Sequence, residues 1–490
     1  MQQPMLGAAG IDLQRQCPCD YADGKDTMQS PATTPRQASN GVHYQDGNTL
    51  NSAGLTDMFW LWGQFLDHEI DLTPNDSGES ANMTTPSDDP VLPNATIPFQ
   101  RSRYNHDASG VRQQPNMITS FIDASNVYGA DQGRAMALRA LDGTGRLRLE
   151  AGPGGELLLP KNTEGLPNAQ NPPNAPADIF FLAGDVRANE NTLLTAMHTL
   201  FAREHNWWCD RITAWRPEYT GMDEPVYQQA RRIVAALEQT ITFEEFLPRL
   251  LGALPPFAGY DAAAEPNVQT EFSTVAYRIG HTMVSSELNT NAEGTSQVLL
   301  RTLFFNPQFV DANGIEGVLV GASKKRMQEI DCRVVDDLRN FLFQAPGGGM
   351  LMDLASLNMQ RGLDHGIPPY NAVRQAYGLA PKASFAEISS DPDVVQRLQA
   401  TYASVDDIYA WSGGLCEDHV AGAQVGELFH TILRRKFLAL RAGDRFWFEN
   451  DPSLSDSLKT EIRATRLSDI IKRNLQRTDA ALVPDDVFVL

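Results

Sequence analysis

The sequence is poor in the features that mark disulfide-rich, membrane-spanning and nucleic-acid-binding proteins. Its 490 residues include five cysteines, an odd number whose spacings match neither a disulfide framework nor a zinc site. No apolar run approaches the roughly twenty residues that cross a bilayer, and no signal peptide is visible at the N-terminus. Basic residues number 40 against 61 acidic ones, a net charge of −21. We therefore expect a protein that acts on small neutral or anionic molecules.

An alternation of strands and helices is also absent, which argues against a doubly wound parallel sheet. Strand signals are short, and apolar positions recur at helical spacing. We expect a mainly α protein with few short strands, in which an irregular segment, 1–50, packs on one domain, 51–490. Long loops are expected at 73–115 and 151–176. Helices are predicted at 55–72, 193–215, 225–252, 272–288, 324–343, 392–403 and 425–440.

The helical segment 55–72 carries the first candidate for chemistry. His68 lies there between Asp67 and Glu69, in a stretch that is apolar almost all round. His281 lies in a second apolar segment of this kind. A lone histidine there is usually a core residue whose ring nitrogens have hydrogen-bond partners. Three consecutive ionisable groups are costly to bury unless each has a partner. Because successive helical side chains point about 100° apart, the pattern indicates a site assembled around one helix turn.

Three further groups have both a functional and a structural interpretation. In FFLAGDVRANE, Arg187 and Glu190 would share a face if the segment is helical, and the structural interpretation is an exposed ion pair that contributes little. His198 and His205 also share a face, but without the paired Glu-x-x-His motifs of a bundle metal site, so structural roles are favoured. The segment TSFIDAS (119–125) offers alternating oxygen ligands that suit Ca²⁺, and a loop held by its own side-chain turns is the alternative.

Seven segments together resemble the animal-type haem peroxidases of the peroxidase–cyclooxygenase superfamily. WGQFLDHEIDLTP (62–74) is similar to the family's distal-histidine motif, TSFIDASNVYG (119–129) to its calcium loop, and AYRIGHTM (276–283) to its proximal-histidine motif. The other matches are LAGDVRANE (182–190), MHTLFAREHN (197–206), LNMQRGLDHGIPPYN (357–371) and GDRFWFEN (443–450). The motifs follow the family's order over most of the chain. The resemblance implies a single large helical haem-peroxidase domain.

The resemblance also implies an enzyme that reduces H₂O₂ and oxidises halides, thiocyanate or small phenolic donors through ferryl intermediates. His281 would ligate the haem iron, and Asn358 would accept a hydrogen bond from its other ring nitrogen. Arg278 and Arg361 would pair with the haem propionates, with Asp71 near them.

On the distal side, the resemblance assigns three catalytic residues. His68 would move a proton from one peroxide oxygen to the other, Arg187 would stabilise the charge that develops as the O–O bond breaks, and Gln64 would hold water or a halide. Calcium would bind Glu69, which stands where the family has Asp, together with Thr119, the Phe121 carbonyl, Asp123 and Ser125.

Two carboxylates match the residues that form ester bonds to haem methyl groups, Asp67 and Glu190. Some family members add a sulfonium link from a Met directly after the second carboxylate. Here that position is Asn191, so the resemblance implies two esters at most and a preference for bromide, iodide or thiocyanate over chloride.

Three alternatives remain at this point. A fatty-acid dioxygenase of the same superfamily needs a Tyr three residues before the proximal histidine, where this sequence has Arg278, with Tyr277 one place off. A non-catalytic adhesion protein would not need His68, Arg187 and His281 together. A non-haem metal protein would rely on His198 and His205. The family also suggests secretion, although the absence of a visible signal peptide leaves a cytoplasmic location open.

Overall fold

Helices dominate the chain, which a computed structural model describes over residues 6–342 and 352–490. Many begin at a residue whose side chain accepts from a free backbone N–H group of the first turn, as Asn191 does from the Leu194 N–H. The predicted helices at 55–72, 193–215, 225–252, 392–403 and 425–440 are confirmed to within a few residues. Helices of eight or more residues are Pro35–Val42, Asp57–Ile70, Thr192–Trp215, Asp223–Thr240, Leu354–Asp364, Pro392–Thr401, Glu427–Gly443, Asp456–Ala464 and Leu467–Asn474.

Shorter elements connect these helices. The short α-helices are Ser125–Tyr128, Gln132–Ala137, Leu247–Leu251, Thr270–Thr274, Gly280–Met283, Pro307–Asn313, Glu316–Ala322, Asp336–Arg339, Tyr370–Ala376 and Ala410–Cys416. Single 3₁₀ turns lie at Ala177–Ile179, Pro217–Tyr219, Ala276–Ile279, Leu300–Thr302, Phe385–Glu387, Val405–Asp407 and Ala480–Leu482. Strands in the described ranges form antiparallel pairs of two or three residues: Ile11–Asp12 with Pro115–Asn116, Met83–Thr84 with Thr96–Ile97, Asn105–His106 with Arg112–Gln113, Glu150–Ala151 with Leu157–Leu158, and Glu287–Asn289 with Gln297–Leu299.

The helix predicted at 324–343 is wrong over most of its length. Only Asp336–Arg339 is helical, and residue 343 lies outside the described residues. The chain before it instead pairs its backbone with the segment that leads into Asp57–Ile70, through bridges from Arg326 to Thr56 and from Gln328 to Leu50. Tertiary pairing has overridden the local helical pattern here.

Two other expectations need adjustment. The segment 272–288 is broken into two short helices and a 3₁₀ turn, and its end pairs as a strand. The segment 1–50 contains the helix Pro35–Val42, which a Thr34–Gln37 capping box begins. This helix packs against Leu354–Asp364 and Pro392–Thr401, and its Arg36 is fully buried between Asp89 and Asp353.

The core is centred on Thr192–Trp215, which packs against Asp57–Ile70 through aromatic side chains. The ring centroid of Phe201 lies 5.1 Å from that of Phe65 and 5.8 Å from that of Trp62. Asp57–Ile70 is apolar almost all round because other segments cover its remaining faces. No helix in the described ranges is long and apolar enough to span a membrane.

One long helix contains a π-helical turn at Ile241–Phe246, between Asp223–Thr240 and Leu247–Leu251. The Leu247 N–H donates to the Thr242 carbonyl, five residues earlier. The turn presents Phe246 to Asp57–Ile70, where its ring centroid lies 4.6 Å from that of Phe59.

Candidate active site

The proximal side of the site is built on two short helical elements and the helix Leu354–Asp364. His281 lies in Gly280–Met283, and its Nδ1 is 2.7 Å from the Asn358 Nδ2. The Asn358 Oδ1 accepts from Arg278 Nη1 at 3.2 Å. Burial, followed by the nearby Arg278 guanidinium, lowers the pKa of His281 to about 3, so the imidazole is neutral and able to bind a metal ion.

The Asn358 amide lies between His281 and Arg278. Its amide nitrogen faces His281, because Arg278 occupies the amide oxygen. For His281 to ligate iron through Nε2, Nδ1 must carry the proton and donate it to an acceptor. An Asn358 amide with its oxygen towards Nδ1 would supply that acceptor.

On the distal side, His68 is buried in Asp57–Ile70 with 4% of its surface exposed. Its Nδ1 is enclosed by protein and has no hydrogen-bond partner, at 3.6 Å from an oxygen of Asp185. Its Nε2 lies 3.9 Å from an oxygen of Glu190. Burial, then the charge of Arg187, holds the pKa of His68 well below its usual range. The neutral ring can accept a proton.

Arg187 is held beside His68 by Asp185. The two Asp185 oxygens accept from Arg187 Nε and Nη2, each at 2.9 Å, and the Arg187 backbone N–H donates to the same carboxylate at 2.8 Å. Arg187 Nη2 also donates to the His68 carbonyl at 3.4 Å. The Arg187 guanidinium keeps the pKa of Asp185 below its usual range despite burial. The pair stays charged and fixes the guanidinium against the helix of His68.

The carboxylates of Asp67 and Glu190 lie close to Arg187 and His68, respectively, with Arg187 Nη1 3.8 Å from an oxygen of Asp67 and His68 Nε2 3.9 Å from one of Glu190. Burial raises the pKa of Glu190 to about 7 and, with the nearby Asp71, raises that of Asp67. Even so, 30% and 31% of their side-chain surfaces are accessible. Gln64 Nε2 donates to Glu190 at 3.1 Å, and Gln64 Oε1 accepts from Asn191. Carboxyl groups that are enclosed yet accessible are expected around a cavity shaped for a large group.

The two other residues predicted near the haem propionates have protein partners. Burial raises the pKa of Asp71 and lowers that of Arg361 to about 10. Arg361 Nη1 lies 2.7 Å from Asp364 and 2.8 Å from the Ser102 hydroxyl. Arg278, in contrast, forms no ion pair with a carboxylate among the residues that the structure describes, and it donates to the Ser273 carbonyl.

The segment 119–125, predicted to bind calcium, lies against Asp57–Ile70 through Glu69, which is fully buried. The Glu69 carboxylate accepts from the backbone N–H groups of Asp123 at 2.5 Å and Asn126 at 2.8 Å. The Thr119 hydroxyl donates to Asp123 at 3.1 Å, and the Ser125 hydroxyl donates to the Glu69 carbonyl at 3.1 Å. Four of the five predicted ligands are thus drawn together.

The electrostatics of this cluster are unfavourable. Burial and the Glu238 carboxylate raise the pKa of Glu69, and burial raises the pKa of Asp123. Among the residues described, no group of three or more His, Cys, Asp or Glu side chains has a metal-binding arrangement. His198 and His205 are not part of any such metal-binding group among the described residues. His205 contacts the Tyr128 hydroxyl and the Gly145 carbonyl instead.

Two residues of the site were missed by sequence reasoning. Asp185 stands two residues before Arg187 in LAGDVRANE, and a carboxylate so close to a buried Arg is a signal that could have been used. Glu238 is buried beside the Glu69–Asp123 group with an unpartnered oxygen. It lies on a different helix, and no local pattern connects it to the loop.

The family model for the animal haem peroxidases matches residues 1–488. The chain belongs to this family, and the single helical domain is confirmed as a peroxidase fold.

Individual relatives agree with this. Peroxinectin A of Dictyostelium discoideum is 36% identical over 456 residues, covering 89% of this chain and 84% of the relative. Thyroid peroxidase of Sus scrofa is 32% identical over 99% of this chain, which spans 59% of that protein's length. Peroxidase A of D. discoideum superposes with a TM-score of 0.92 and 33% identity, covering 100% of this chain and 98% of its own. The protein is a haem peroxidase, an enzyme that reduces hydrogen peroxide.

A fatty acid α-dioxygenase of Arabidopsis thaliana also superposes, with a TM-score of 0.81, 17% identity and coverage of 99% and 81%. At that identity the likeness concerns the fold alone. Tyr277, next to the position where a dioxygenase needs its tyrosine, is buried and stacks on Phe272 at 4.9 Å, which is a core role.

The residues of the site fit a haem group. His281 is neutral, and a Cβ placed on its neighbour Gly280 would meet no atom within 4 Å, so there is open space beside it. Asp67 and Glu190 line accessible space, and His68 Nε2 is the ring nitrogen that protein does not enclose. The chemistry of these side chains therefore suits a haem group: a neutral imidazole for the iron, and carboxyl groups with accessible surface near His68 and Arg187.

Proposed function

We propose that His68, Arg187 and Gln64 form the peroxide-binding side of the enzyme and that His281 ligates the haem iron. The observation that carries this proposal is the neutral, enclosed His68 beside a fixed Arg187. When bound, the haem supplies a redox-active iron that accepts two oxidising equivalents from H₂O₂. Asn358, Arg278, Arg361 and Asp71 would hold the iron ligand and the propionates.

The chain's own groups account for the proton movements. His68 Nε2 would take a proton from one oxygen of H₂O₂ and return it to the other oxygen, which would leave as water, with the bound haem supplying the two electrons that cleavage of the O–O bond requires. The Arg187 guanidinium would offset negative charge that develops on the departing oxygen. Gln64, fixed between Glu190 and Asn191, would orient water or a halide on the same side of the site.

Calcium is proposed at Glu69, Thr119, the Phe121 carbonyl, Asp123 and Ser125. Support comes from two buried carboxylates whose pKa values are raised because they lose hydration and, for Glu69, because Glu238 and Asp123 lie nearby. A divalent cation would offset this repulsion, and hydroxyl and carbonyl oxygens complete a ligand set of the kind that Ca²⁺ prefers.

Ester bonds from Asp67 and Glu190 to the haem are also proposed. Both carboxyl groups have raised pKa values, so each gains from losing its charge against an apolar macrocycle. Asn191 side-chain atoms cap Thr192–Trp215 and contact Gln64, and Asn has no sulfur for a third link.

For the electron donors we propose bromide, iodide or thiocyanate in preference to chloride, together with small phenols.

Rapid mixing of the haem-loaded enzyme with H₂O₂ tests the assignment of His68. His68→Ala should keep haem and slow the reaction by about 10²-fold or more, and His281→Ala should lose haem or alter its ligation. The exposed His106 supplies the matched control, since His106→Ala should leave both properties unchanged. A His68→Ala enzyme that reacts at the wild-type rate would overturn the assignment.

Acid–acetone extraction after peroxide treatment tests the esters, because free extraction of all haem would exclude them.

A further inference from the structure

A cavity of ≈ 290 Å³ borders the proximal helix Leu354–Asp364. Its volume is near the lower end for small-molecule sites, about 300–1,000 Å³. Apolar side chains that are almost completely buried form its floor, among them Val275, Met359, Ile408 and Trp411. The size and the aromatic floor suit one small planar ring.

The cavity lies one layer of side chains from the iron ligand. Asn358 is part of its lining, and the Asn358 amide contacts His281 Nδ1 at 2.7 Å. Trp411 is also part of the lining, and its Nε1 donates to the Arg278 carbonyl at 3.4 Å. A ring in this cavity would contact two groups that themselves contact the proximal residues.

The charges around the cavity have one sign. Asp20, Asp406 and Asp407 belong to the lining, and none of its described residues is Lys or Arg. One oxygen of Asp20 accepts from Gln29 at 3.0 Å and one of Asp406 accepts from Asn371 at 2.7 Å. Within the described ranges, none of the three carboxylates forms an ion pair with a basic side chain. Their combined field favours a cation.

We propose that this cavity binds phenols that carry a cationic side chain, with the ring on the apolar floor and the ammonium group at the three aspartates. The inference rests on the proposed oxidation of small phenolic donors and names their class and their binding site. Each turnover converts one H₂O₂ and two phenols into two waters and two phenoxyl radicals. Each phenol loses one electron and one proton, and H₂O₂ takes up both electrons and both protons.

Three phenols of similar size and different charge test the proposal with the haem-loaded enzyme. They are tyramine, a cation; 4-ethylphenol, which is neutral; and 3-(4-hydroxyphenyl)propionate, an anion. We expect KM to increase in that order, and equilibrium dialysis without peroxide should show one tyramine site per chain. The double variant Asp20→Asn, Asp407→Asn should raise KM for tyramine by about threefold or more and leave 4-ethylphenol unchanged. The exposed Asp88 is the control, since Asp88→Asn should affect none of them.

Filling the cavity gives a second, independent variant. A Cβ on Gly362, in the proximal helix, would meet only Ile367 Cβ, at 4.0 Å, and Leu favours a helix more than Gly does. Gly362→Leu should therefore fold, abolish tyramine binding in dialysis and raise KM for all three phenols. Bromide oxidation and the haem spectrum should be retained.

Two results would overturn the proposal: equal KM values for the three phenols in the wild type, or unchanged tyramine binding in Gly362→Leu. Loss of bromide oxidation in the wild-type enzyme would instead contradict the proposed function, so the two failures are distinguishable.

Discussion

At the scale of single residues, Asp185 is the side chain on which the distal geometry depends. It takes two side-chain hydrogen bonds and one backbone hydrogen bond from Arg187, and it faces the enclosed nitrogen of His68. A buried Arg that loses a charged partner is strongly destabilised in its position. We therefore expect Asp185 to act as a positioning residue, chiefly through the placement of Arg187 and also through its contact with His68.

We expect Asp185→Asn to slow the reaction with H₂O₂ by about tenfold or more, because a hydrogen bond to a charged group contributes about 1.5–3 kcal/mol. Haem binding should persist, since His281 and Asn358 are unchanged. Stopped-flow absorbance measures the rate, and Asp178→Asn, at an exposed position, is the control. Wild-type kinetics in Asp185→Asn would contradict the positioning role.

At the scale of elements, Glu69 connects the helix Asp57–Ile70 to the loop before Ser125–Tyr128. Its carboxylate already accepts from loop backbone N–H groups, so the contact exists without an ion. A bound calcium would strengthen it by linkage, by about 2.7 kcal/mol at a concentration one hundred times Kd.

The thermal midpoint of the wild type should therefore fall when EGTA is added, and Ca²⁺ in excess should restore it. Glu69→Gln keeps the hydrogen-bond acceptor but loses the charge, so its midpoint should be insensitive to EGTA. Glu218→Gln, at an exposed position, should retain the wild-type response. If elemental analysis found no calcium and the wild type ignored EGTA, the calcium site would be excluded.

The first turn of Asp57–Ile70 makes stability depend on pH. Asp57 is fully buried, one oxygen accepts from Trp60 Nε1 at 2.9 Å, and the other has no partner. Burial raises the pKa of Asp57 to about 8. An acid whose pKa is higher in the folded state than in the unfolded state stabilises the fold most when it is protonated. This contribution of Asp57 is complete below the unfolded pKa of about 3.9, and it is lost as the pH rises towards 8.

Asp57→Asn removes this titration and keeps an acceptor for Trp60. Its thermal midpoint, relative to that of the wild type, should therefore rise between pH 5 and pH 8. The corresponding difference in the free energy of unfolding grows by up to about 1.4 kcal/mol per pH unit. Calorimetry at both pH values measures it. In Asp456→Asn, at the exposed first turn of another helix, the difference in thermal midpoint from the wild type should be the same at both pH values. The same pH-independent difference in Asp57→Asn would refute the argument.

At the scale of the whole molecule, the net charge of −21 acts on every charged donor. It repels anions and attracts cations over a distance of about 10 Å at 0.1 M salt. We expect kcat/KM for thiocyanate to rise with ionic strength, that for tyramine to fall, and that for neutral 4-ethylphenol to stay constant. Steady-state assays over 10–300 mM of a salt of a non-oxidisable anion measure this. Parallel curves for all three donors would contradict it.

Sequence reasoning identified the fold class and most of the long helices because these depend on local periodicity and on long, ordered motifs. It placed His68 beside Arg187 and Glu69 beside Asp123 by family resemblance, and the structure brings both pairs together. It missed the non-helical course of 324–335, in which Arg326 and Gln328 pair with residues distant in sequence. The orientation of the Asn358 amide depends on competition from Arg278, which no spacing could reveal.

The π-helical turn at Ile241–Phe246 makes the fold sensitive to chain length. Each residue of an α-helix advances about 100°, so the additional residue rotates everything after it. Gln239, before the turn, donates to the Ile122 carbonyl, while Phe246, within it, lies 3.5 Å from where a Gly63 Cβ would stand. Deleting one residue here would turn Phe246 away from the helix of His68, whereas many substitutions would leave the rotation intact. This segment therefore constrains insertions and deletions more strongly than it constrains amino-acid identity.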